Sequence, residues 1–191
     1  MKTSDITDIC IYFVEGDDDE EALLAWCGWS RPEAPFTGEL SRRISTVEEL
    51  LGRYRRITAG GRHSVKKYNP VKKYVASGRA VVVVKFAQIS NWRSVFHYVR
   101  ERRERLNDYA RCVTIVFDCD APAESCARLR DGIEILNCAD PRQCCAGASG
   151  VALLSICDGV SLLSFAPRLE DLSNVTCSCA CCEHCKGRHM P

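Results

Sequence analysis

The chain has 191 residues, of which 46% are apolar and 27% charged, with a net charge of +1 and 14 cysteines. This length and composition suit one globular domain and argue against global disorder. No apolar stretch approaches the roughly 20 residues that a membrane span needs, and the acidic N-terminus does not resemble a secretory signal. We therefore expect an intracellular protein with no membrane partner, cytoplasmic or, in a eukaryotic host, nuclear.

Charge is distributed unevenly along the chain. Residues 1–40 carry two basic and ten acidic side chains, residues 41–111 carry eighteen basic and five acidic ones, and residues 112–191 carry six basic and ten acidic ones. A basic middle between acidic ends suits a protein that binds a polyanion and holds metal ions among carboxylates. The alternative is a solvated basic face that balances the acidic ends within the molecule.

The N-terminal third predicts one strand and two helices. Ile9–Val14 is a continuous apolar run of strand length. A helix capped by Asp17 or Asp18 follows and runs to about Trp29. After a loop with two prolines, capping-box patterns predict a second helix over Thr46–Ile57.

The connection Thr58–Gly78 is predicted to be a long basic loop. Its basic residues alternate with tyrosines, a composition typical of segments that contact phosphates and stack on the bases of single-stranded nucleic acid. A basic surface loop without a ligand fits the same pattern. The candidate nucleic-acid contacts in this insertion are Lys66, Lys67, Lys72 and Lys73.

The next part of the chain predicts a strand at Ala80–Ala87 and a helix that ends near Leu106, with apolar residues at helical spacing. Cys112–Phe117 is the third predicted strand, and Ile133–Cys138, after a short helix stopped by Gly132, is the fourth. Arginines crowd the exposed side of the helix and are further candidates for phosphate contacts. They are Arg100, Arg102, Arg103 and Arg105.

The C-terminal part predicts a hairpin and a cysteine-rich tail. Ala152–Cys157 and Val160–Phe165 flank an Asp-Gly dipeptide, which favours a two-residue turn. The fold class is α/β: a compact, mostly parallel four-stranded sheet with helices on both faces, plus this hairpin and the tail. We expect an α/β domain over residues 1–138 with an insertion at about 30–78, a loop and hairpin over 139–172, and the tail over 173–191.

Acidic residues follow two of the predicted parallel strands. The first strand ends in Glu15 and Gly16, with Asp19 three residues after the glycine, and the third strand ends in Asp118 and Asp120. Ligand sites in open α/β sheets lie at the carboxyl ends of the strands. Both acidic groups are therefore expected on one edge of the sheet, where hard Mg²⁺ would find its preferred oxygen ligands.

These two motifs, in this order and on these elements, resemble the Toprim domain of topoisomerases, bacterial-type primases and small nucleases. The nucleases include the overcoming-lysogenization-defect and ribosomal-RNA maturation types. The resemblance covers about Ile9 to Cys138 without the insertion. It implies that Glu15 acts as a general acid or base and that Asp118 and Asp120 bind Mg²⁺ or Mn²⁺. Asp19 and Glu124 would be supporting acids of the same metal site.

The last fifteen residues contain a dense group of soft metal ligands. Two Cys-x₂-Cys spacings suit a zinc knuckle, although the ligand pairs are closer together than in ordinary structural sites. A redox-sensitive tail without metal is the alternative. The candidate zinc ligands are Cys177, Cys179, Cys182, His184, Cys185 and His189.

The function that the sequence predicts is a metal-dependent nuclease or related phosphotransfer enzyme that acts on DNA or RNA. Nothing in the chain resembles the strand-passage or polymerising modules of topoisomerases and primases, which favours the nuclease class. The alternative is a non-catalytic, cysteine-rich, zinc-binding factor that interacts with nucleic acid or protein, such as an accessory protein of a virus or mobile element.

Overall fold

The computed structural model of the protein describes residues 6–57, 63–67, 71–76, 78–85, 92–118, 131–137, 142–146, 151–157 and 159–165. Within these ranges there are three helices with defined bounds and a helical segment at residues 131–136. The helices are α1 (Asp17–Cys27), α2 (Gly38–Gly52) and α3 (Trp92–Asn107). The strands are β1 (Asp8–Val14), β2 (Arg53–Ile57), β3 (His63–Lys67), β4 (Val71–Ala76), β5 (Arg79–Lys85), β6 (Cys112–Asp118), β7 (Arg142–Ala146), β8 (Val151–Cys157) and β9 (Val160–Phe165).

The main sheet has the strand order β4-β5-β1-β6-β9-β8-β7. Its four central strands, β5, β1, β6 and β9, are all parallel to one another. The antiparallel strand β4 lies beside β5, and the antiparallel pair β8 and β7 lies beyond β9. β2 and β3 form a separate two-stranded sheet. The prediction of an α/β fold with a mostly parallel sheet is therefore confirmed.

The central strands are buried on both faces, as their continuous apolar runs predict. One face of β1 joins a core cluster with residues of α2 and α3, and its other face joins a second cluster with residues of α1. Alternation along the strand explains this division, because successive side chains point to opposite faces. Helices therefore cover both faces of the sheet, as expected.

Helix α2 begins earlier than predicted and does not reach Ile57. Leu40, Ile44, Val47 and Leu51 are all buried and recur at helical spacing, so the apolar stripe begins before Thr46, the predicted start of the helix. The helix ends at Gly52, and the next five residues form β2. The capping-box patterns therefore lie inside the helix and do not mark its start.

The insertion is also more ordered than the predicted loop. Residues 63–67 and 71–76 are strands β3 and β4, and the remaining residues of 58–78, apart from Gly78, lie outside the described ranges. β4 pairs with β5 along its whole length. Val71 and Val75 pack against one core cluster, whereas Tyr74 belongs to the other. This apolar content on both faces is the reason that a lysine-rich segment forms part of the main sheet.

The fourth predicted strand, Ile133–Cys138, is wrong. Residues 131–136 are helical, Gly132 is buried within this segment, and Leu136 lies in the core. A short apolar run has no periodicity that distinguishes a strand from a buried helix, and the two isoleucines favoured a strand. The fourth parallel strand is β9 instead, and Cys138 lies outside the described residues.

The predicted hairpin is confirmed, and it is joined to the main sheet. β8 and β9 pair antiparallel, and β9 then pairs with β6. Gly159 has φ +74°, and a Cβ added there would lie 2.8 Å from Oδ1 of Asn107 at the end of α3. The left-handed backbone conformation favours glycine at this turn, and any larger residue would also have to displace the side chain of Asn107.

None of the described helices is long and apolar enough to cross a membrane. Cys10 and Cys27 are buried free thiols, and Cys112 is a partly buried one. Cys10 and Cys27 belong to the same apolar core cluster, and Cys112 packs against it, as is usual for buried thiols.

Tyr98 gives the fold a predictable response to alkaline pH. Its hydroxyl donates to the carbonyl of Leu51 at 2.6 Å, and burial raises its pKa to about 12. Because the folded pKa exceeds the unfolded value of about 10, this stabilisation is complete below pH 10 and is lost as the pH rises towards 12. We expect the free energy of unfolding of Tyr98→Phe, measured in urea, to fall less than that of the wild type between pH 9 and about pH 11. Parallel losses in both proteins would contradict this prediction.

Candidate functional site

The strands that end in acidic residues are adjacent and parallel. Phe13 of β1 pairs with Ile115 of β6 in the sheet register. Glu15 follows the last residue of β1, and Asp118 is the last residue of β6. Both backbone positions therefore lie at the carboxyl edge of the parallel strands, where α/β sheets hold their ligands. The side chain of Asp118, like residues 120 and 124, lies outside what the structure describes.

The two acids of the first motif have different environments. The side chain of Glu15 is exposed, whereas Asp19 is only 6% exposed. Oδ2 of Asp19 accepts hydrogen bonds from the backbone N–H groups of Glu15, at 2.9 Å, and Gly16, at 2.8 Å. Asp19 therefore satisfies amide donors at the start of α1, which gives it a structural role there. Neither Asp17 nor Asp18 occupies the cap position, which belongs to Gly16.

The described residues supply only part of the predicted metal sites. Among them, no group of three or more histidine, cysteine or acidic side chains is placed to hold a metal ion. Glu15 offers an exposed carboxylate, and the backbone of Asp118 lies at the same edge. This oxygen chemistry suits Mg²⁺ or Mn²⁺. All six predicted zinc ligands lie in residues 177–189, beyond the described ranges.

A second group of charged residues lies near the same edge, and the sequence did not reveal it. Glu20 of α1 is 1% exposed. Its Oε2 is 3.0 Å from Nζ of Lys72 and 2.7 Å from Nζ of Lys85, and its Oε1 accepts a hydrogen bond from the hydroxyl of Tyr74. Lys85 also pairs with Asp17. These five residues, named here the Glu20 cluster, connect α1 to strands β4 and β5.

Burial changes the pKa of two groups in the Glu20 cluster. Burial, together with the hydrogen bond to Glu20, raises the pKa of Tyr74 to about 12, so its hydroxyl remains a donor at neutral pH. Burial also lowers the pKa of Lys85. The two lysines and two carboxylates of the cluster balance in charge. The pairing of opposite charges offsets the free-energy cost of burying ionised groups. The same contacts hold the start of α1 beside the carboxyl edge of β1 and β6.

Two of the insertion lysines predicted to bind nucleic acid have intramolecular partners. Lys72 contacts Glu20 and lies 3.7 Å from Asp17, and Lys73 pairs with Glu48 at 3.0 Å. The side chains of Lys66 and Lys67, on β3, lie outside the described part. For Lys72, this is the internal balance between the basic middle and an acidic end of the chain, whereas the partner of Lys73 lies in the basic middle itself. Both lysine side chains remain about 40% exposed, so a phosphate could still approach them.

The arginines of α3 lie away from the acidic edge. The helix starts after the carboxyl end of β5 and ends before the start of β6, so its last turns lie towards the opposite edge. Arg100 and Arg103 donate to the carbonyls of Ile135 and Leu136, and Arg102 lies 3.9 Å from the ring centre of Tyr98. The hydrogen bonds of Arg100 and Arg103 stabilise the end of the helical segment 131–136, whose last carbonyl groups lack helical partners. The contact of Arg102 lies within α3. Arg105 is exposed.

A cavity of about 280 Å³ lies beside the Glu20 cluster, between α1 and β4. On the helix side it is lined by Asp17, Glu20, Glu21 and Leu24, which follow helical spacing. On the other side it is lined by Trp29, Arg31, Lys72 and Tyr74. The pairing of β4 with β5 places Lys72 and Tyr74 beside α1, and the bridge between Ser30 and Val75 holds Trp29 and Arg31 against β4. These contacts join distant parts of the chain, so no local sequence motif signals the cavity.

Comparisons with known proteins add little. No protein-family model matches the chain, and a search of curated proteins gives no match. A search of solved structures returns a hypothetical protein from S. aureus, with 7% identity, a TM-score of 0.24, and coverage of 83% of this chain and 92% of that one. A likeness this weak supports no inference about fold or function.

Proposed function

We propose that the protein is a metal-dependent nuclease, or a related phosphotransfer enzyme, that acts on DNA or RNA at the carboxyl edge of β1 and β6. The observation that supports this proposal most is the parallel pairing of these two strands, because each ends in the acids of a Toprim-like motif. The carboxyl ends of parallel strands are the edge at which α/β sheets hold their ligands.

The proposed roles follow from the chemistry of phosphoryl transfer. Glu15, exposed at the edge, would move a proton as general acid or base. Asp118 and Asp120 would hold Mg²⁺ or Mn²⁺, and Glu124 would support them. When bound, the ion would neutralise charge on the phosphoryl group. Asp19 would act indirectly, since its carboxylate fixes the backbone amides of Glu15 and Gly16.

The decisive test is a cleavage assay on single- and double-stranded DNA and RNA, with Mg²⁺, Mn²⁺ or EDTA. We expect cleavage of at least one substrate with a divalent ion and none with EDTA. The variants Asp118→Asn and Asp120→Asn should abolish this cleavage while the free energy of unfolding stays near the wild-type value. Equal cleavage by both variants and the wild type would place the chemistry elsewhere.

Binding of nucleic acid should depend steeply on salt if the basic insertion contacts phosphates. The double variant Lys66→Gln/Lys67→Gln is suitable because it leaves the contact of Lys72 with Glu20 intact. We expect weaker binding and a flatter plot of log affinity against log salt, by about 0.7–0.9 in slope for each phosphate that the variant no longer neutralises. Filter binding across a salt series measures both quantities.

The matched control for this experiment is Arg42→Gln, which removes an exposed positive charge on α2, outside the basic connection 58–78. It should leave the slope near that of the wild type. Superimposable curves for the lysine variant and the wild type would remove the nucleic-acid role proposed for residues 66 and 67.

A non-catalytic interaction factor is the second candidate, and one observation favours it. Asp19 and Glu20, two acids of the first motif region, are buried in structural contacts, and Glu20 is paired with Lys72 and Lys85. Under this proposal the edge acids stabilise the fold, and the cysteine-rich tail binds zinc. Nucleic-acid or protein binding without cleavage, together with about one zinc ion per chain by elemental analysis, would favour this candidate.

A further inference from the structure

We propose that the cavity between α1 and β4 binds a single nucleotide unit, with Arg31 contacting its phosphate and Glu21 accepting hydrogen bonds from its base. This inference depends on the proposed function for the identity of the ligand. The cavity itself is independent of the metal site and includes none of the predicted catalytic residues.

The location of the cavity connects it with the candidate edge. Asp17 lines the cavity and lies two residues after Glu15 in the chain. Lys85, which pairs with Asp17, is opposite Val14 in the sheet register. One nucleic-acid strand could therefore supply both a nucleotide in the cavity and a phosphate at the edge. Because the cavity lies beside the carboxyl edge and contains none of the proposed catalytic residues, it would select the substrate and take no part in phosphoryl transfer.

The walls of the cavity are held in place by buried contacts. Tyr74 donates to the buried carboxylate of Glu20, and its ring stacks on Trp29 at 6.2 Å between centroids and 27° between planes. Trp29 in turn packs edge-on against Tyr12 at 4.6 Å. These contacts fix two aromatic walls before any ligand binds, which lowers the entropic cost of binding. Leu24 adds an apolar surface for a planar group.

The charges that line the cavity suggest the chemistry of its ligand. Asp17, Glu20 and Lys72 are engaged with one another or with Lys85. Within the described part of the chain, the side chains of Arg31 and Glu21 make no hydrogen bond or ion pair, although the charge of Arg31 acts on Tyr74. Two opposite charges that line one cavity without pairing would complement a ligand with an anionic group and hydrogen-bond donors. Arginine suits phosphate, and carboxylates accept from the amino groups of bases.

The volume of the cavity limits the size of the ligand. Small-molecule sites usually measure about 300–1,000 Å³, so a cavity of about 280 Å³ lies at their lower limit. One base with part of its sugar fits this space, whereas a stacked dinucleotide or a duplex does not. A base must unstack from the adjacent bases to enter such a site, and this costs least in a single strand, where the base is not paired. We therefore expect the protein to prefer single-stranded over double-stranded nucleic acid.

Isothermal titration with the four ribonucleoside 5′-monophosphates, in EDTA and with the full chain, tests this inference. We expect millimolar or tighter binding of at least one nucleotide. Both Arg31→Gln and Glu21→Gln should weaken this binding about tenfold or more, as the loss of a charged hydrogen-bond partner predicts. Both side chains are exposed, so the variants should fold. The controls are Arg42→Gln and Glu104→Gln, exposed residues on α2 and α3 that should not alter the affinity.

Three results would overturn the inference. They are the absence of binding by all four nucleotides, unchanged affinity in both cavity variants, and binding of free tryptophan, a zwitterion with a planar indole ring, in place of nucleotides. The experiment contains no divalent metal and measures no cleavage. Normal nucleotide binding without cleavage would therefore refute the nuclease proposal alone. Normal cleavage without nucleotide binding would refute the cavity proposal alone.

Discussion

Replacing Glu15 with glutamine is expected to lower the rate of nucleic-acid cleavage by about 100- to 10,000-fold, the usual contribution of a positioned general acid or base. The substitution keeps the size of the side chain and removes its charge. Because Glu15 is exposed, the free energy of unfolding should change by less than about 0.5 kcal/mol. The rate at saturating substrate and Mg²⁺ is the quantity to measure.

Asp18→Asn is the matched control for Glu15→Gln. Asp18 is an exposed acid in the first turn of α1 and has no role in the proposed mechanism. Its replacement should change the cleavage rate by less than about threefold and cost only the small interaction of a carboxylate with the helix dipole, about 0.3–1 kcal/mol. Equal losses of rate in the two variants would show a general effect of negative charge and would refute the acid–base role of Glu15.

The second large effect is expected from Glu20→Ala, which should reduce the free energy of unfolding by about 3 kcal/mol. Removing one partner of a buried ion pair leaves the other charge unsatisfied, and such changes cost about 3–5 kcal/mol. Glu20 is 1% exposed, and the side chain of Lys85 is 11% exposed. The expected cost lies at the lower limit because Asp17 still contacts Lys85. Urea unfolding monitored by circular dichroism measures it.

Glu21→Ala provides the control, since Glu21 is the next residue of the same helix and is exposed. It should change the free energy of unfolding by less than about 0.5 kcal/mol. The double variant Glu20→Ala/Lys85→Ala should be more stable than the sum of the two single changes predicts, because the stranded charge is gone. Additive losses, or a loss below 0.5 kcal/mol for Glu20→Ala, would contradict the structural role of the Glu20 cluster.

Much of the central sheet could be predicted from the sequence because its strands have strong local signals. β1 and β6 are apolar runs that end abruptly in acids, and β8 and β9 flank the Asp-Gly dipeptide. The helix α1 ends two residues before its predicted limit because Gly28 adopts the left-handed conformation, with φ +55°. In these elements the local pattern and the fold agree, which is why sequence reasoning succeeded.

The remaining elements depend on contacts between distant parts of the chain. The lysine-rich segment 71–76 is a strand because it pairs with β5, and residues 131–136 are helical where two isoleucines favoured a strand. Likewise, Glu20 belongs to a run of five acidic residues, a pattern that is typical of the exposed first turn of a helix. Its burial follows from residues more than fifty positions later, Lys72 and Lys85. Glu20 and its lysine partners are too far apart in the sequence to form a local pattern. The Glu20 cluster and its cavity can therefore be recognised only in the folded structure.

The position of a bound divalent ion is the most direct test of a metal-dependent site at the carboxyl edge of β1 and β6. In crystals grown with Mn²⁺, we expect anomalous density about 2.0–2.3 Å from the carboxylate of Asp118. The carboxylates of Glu15, Asp118 and Asp120 should lie about 4–8 Å from one another. Mn²⁺ bound only elsewhere, or carboxylates of Glu15 and Asp118 that face away from each other across the sheet, would contradict the proposed site.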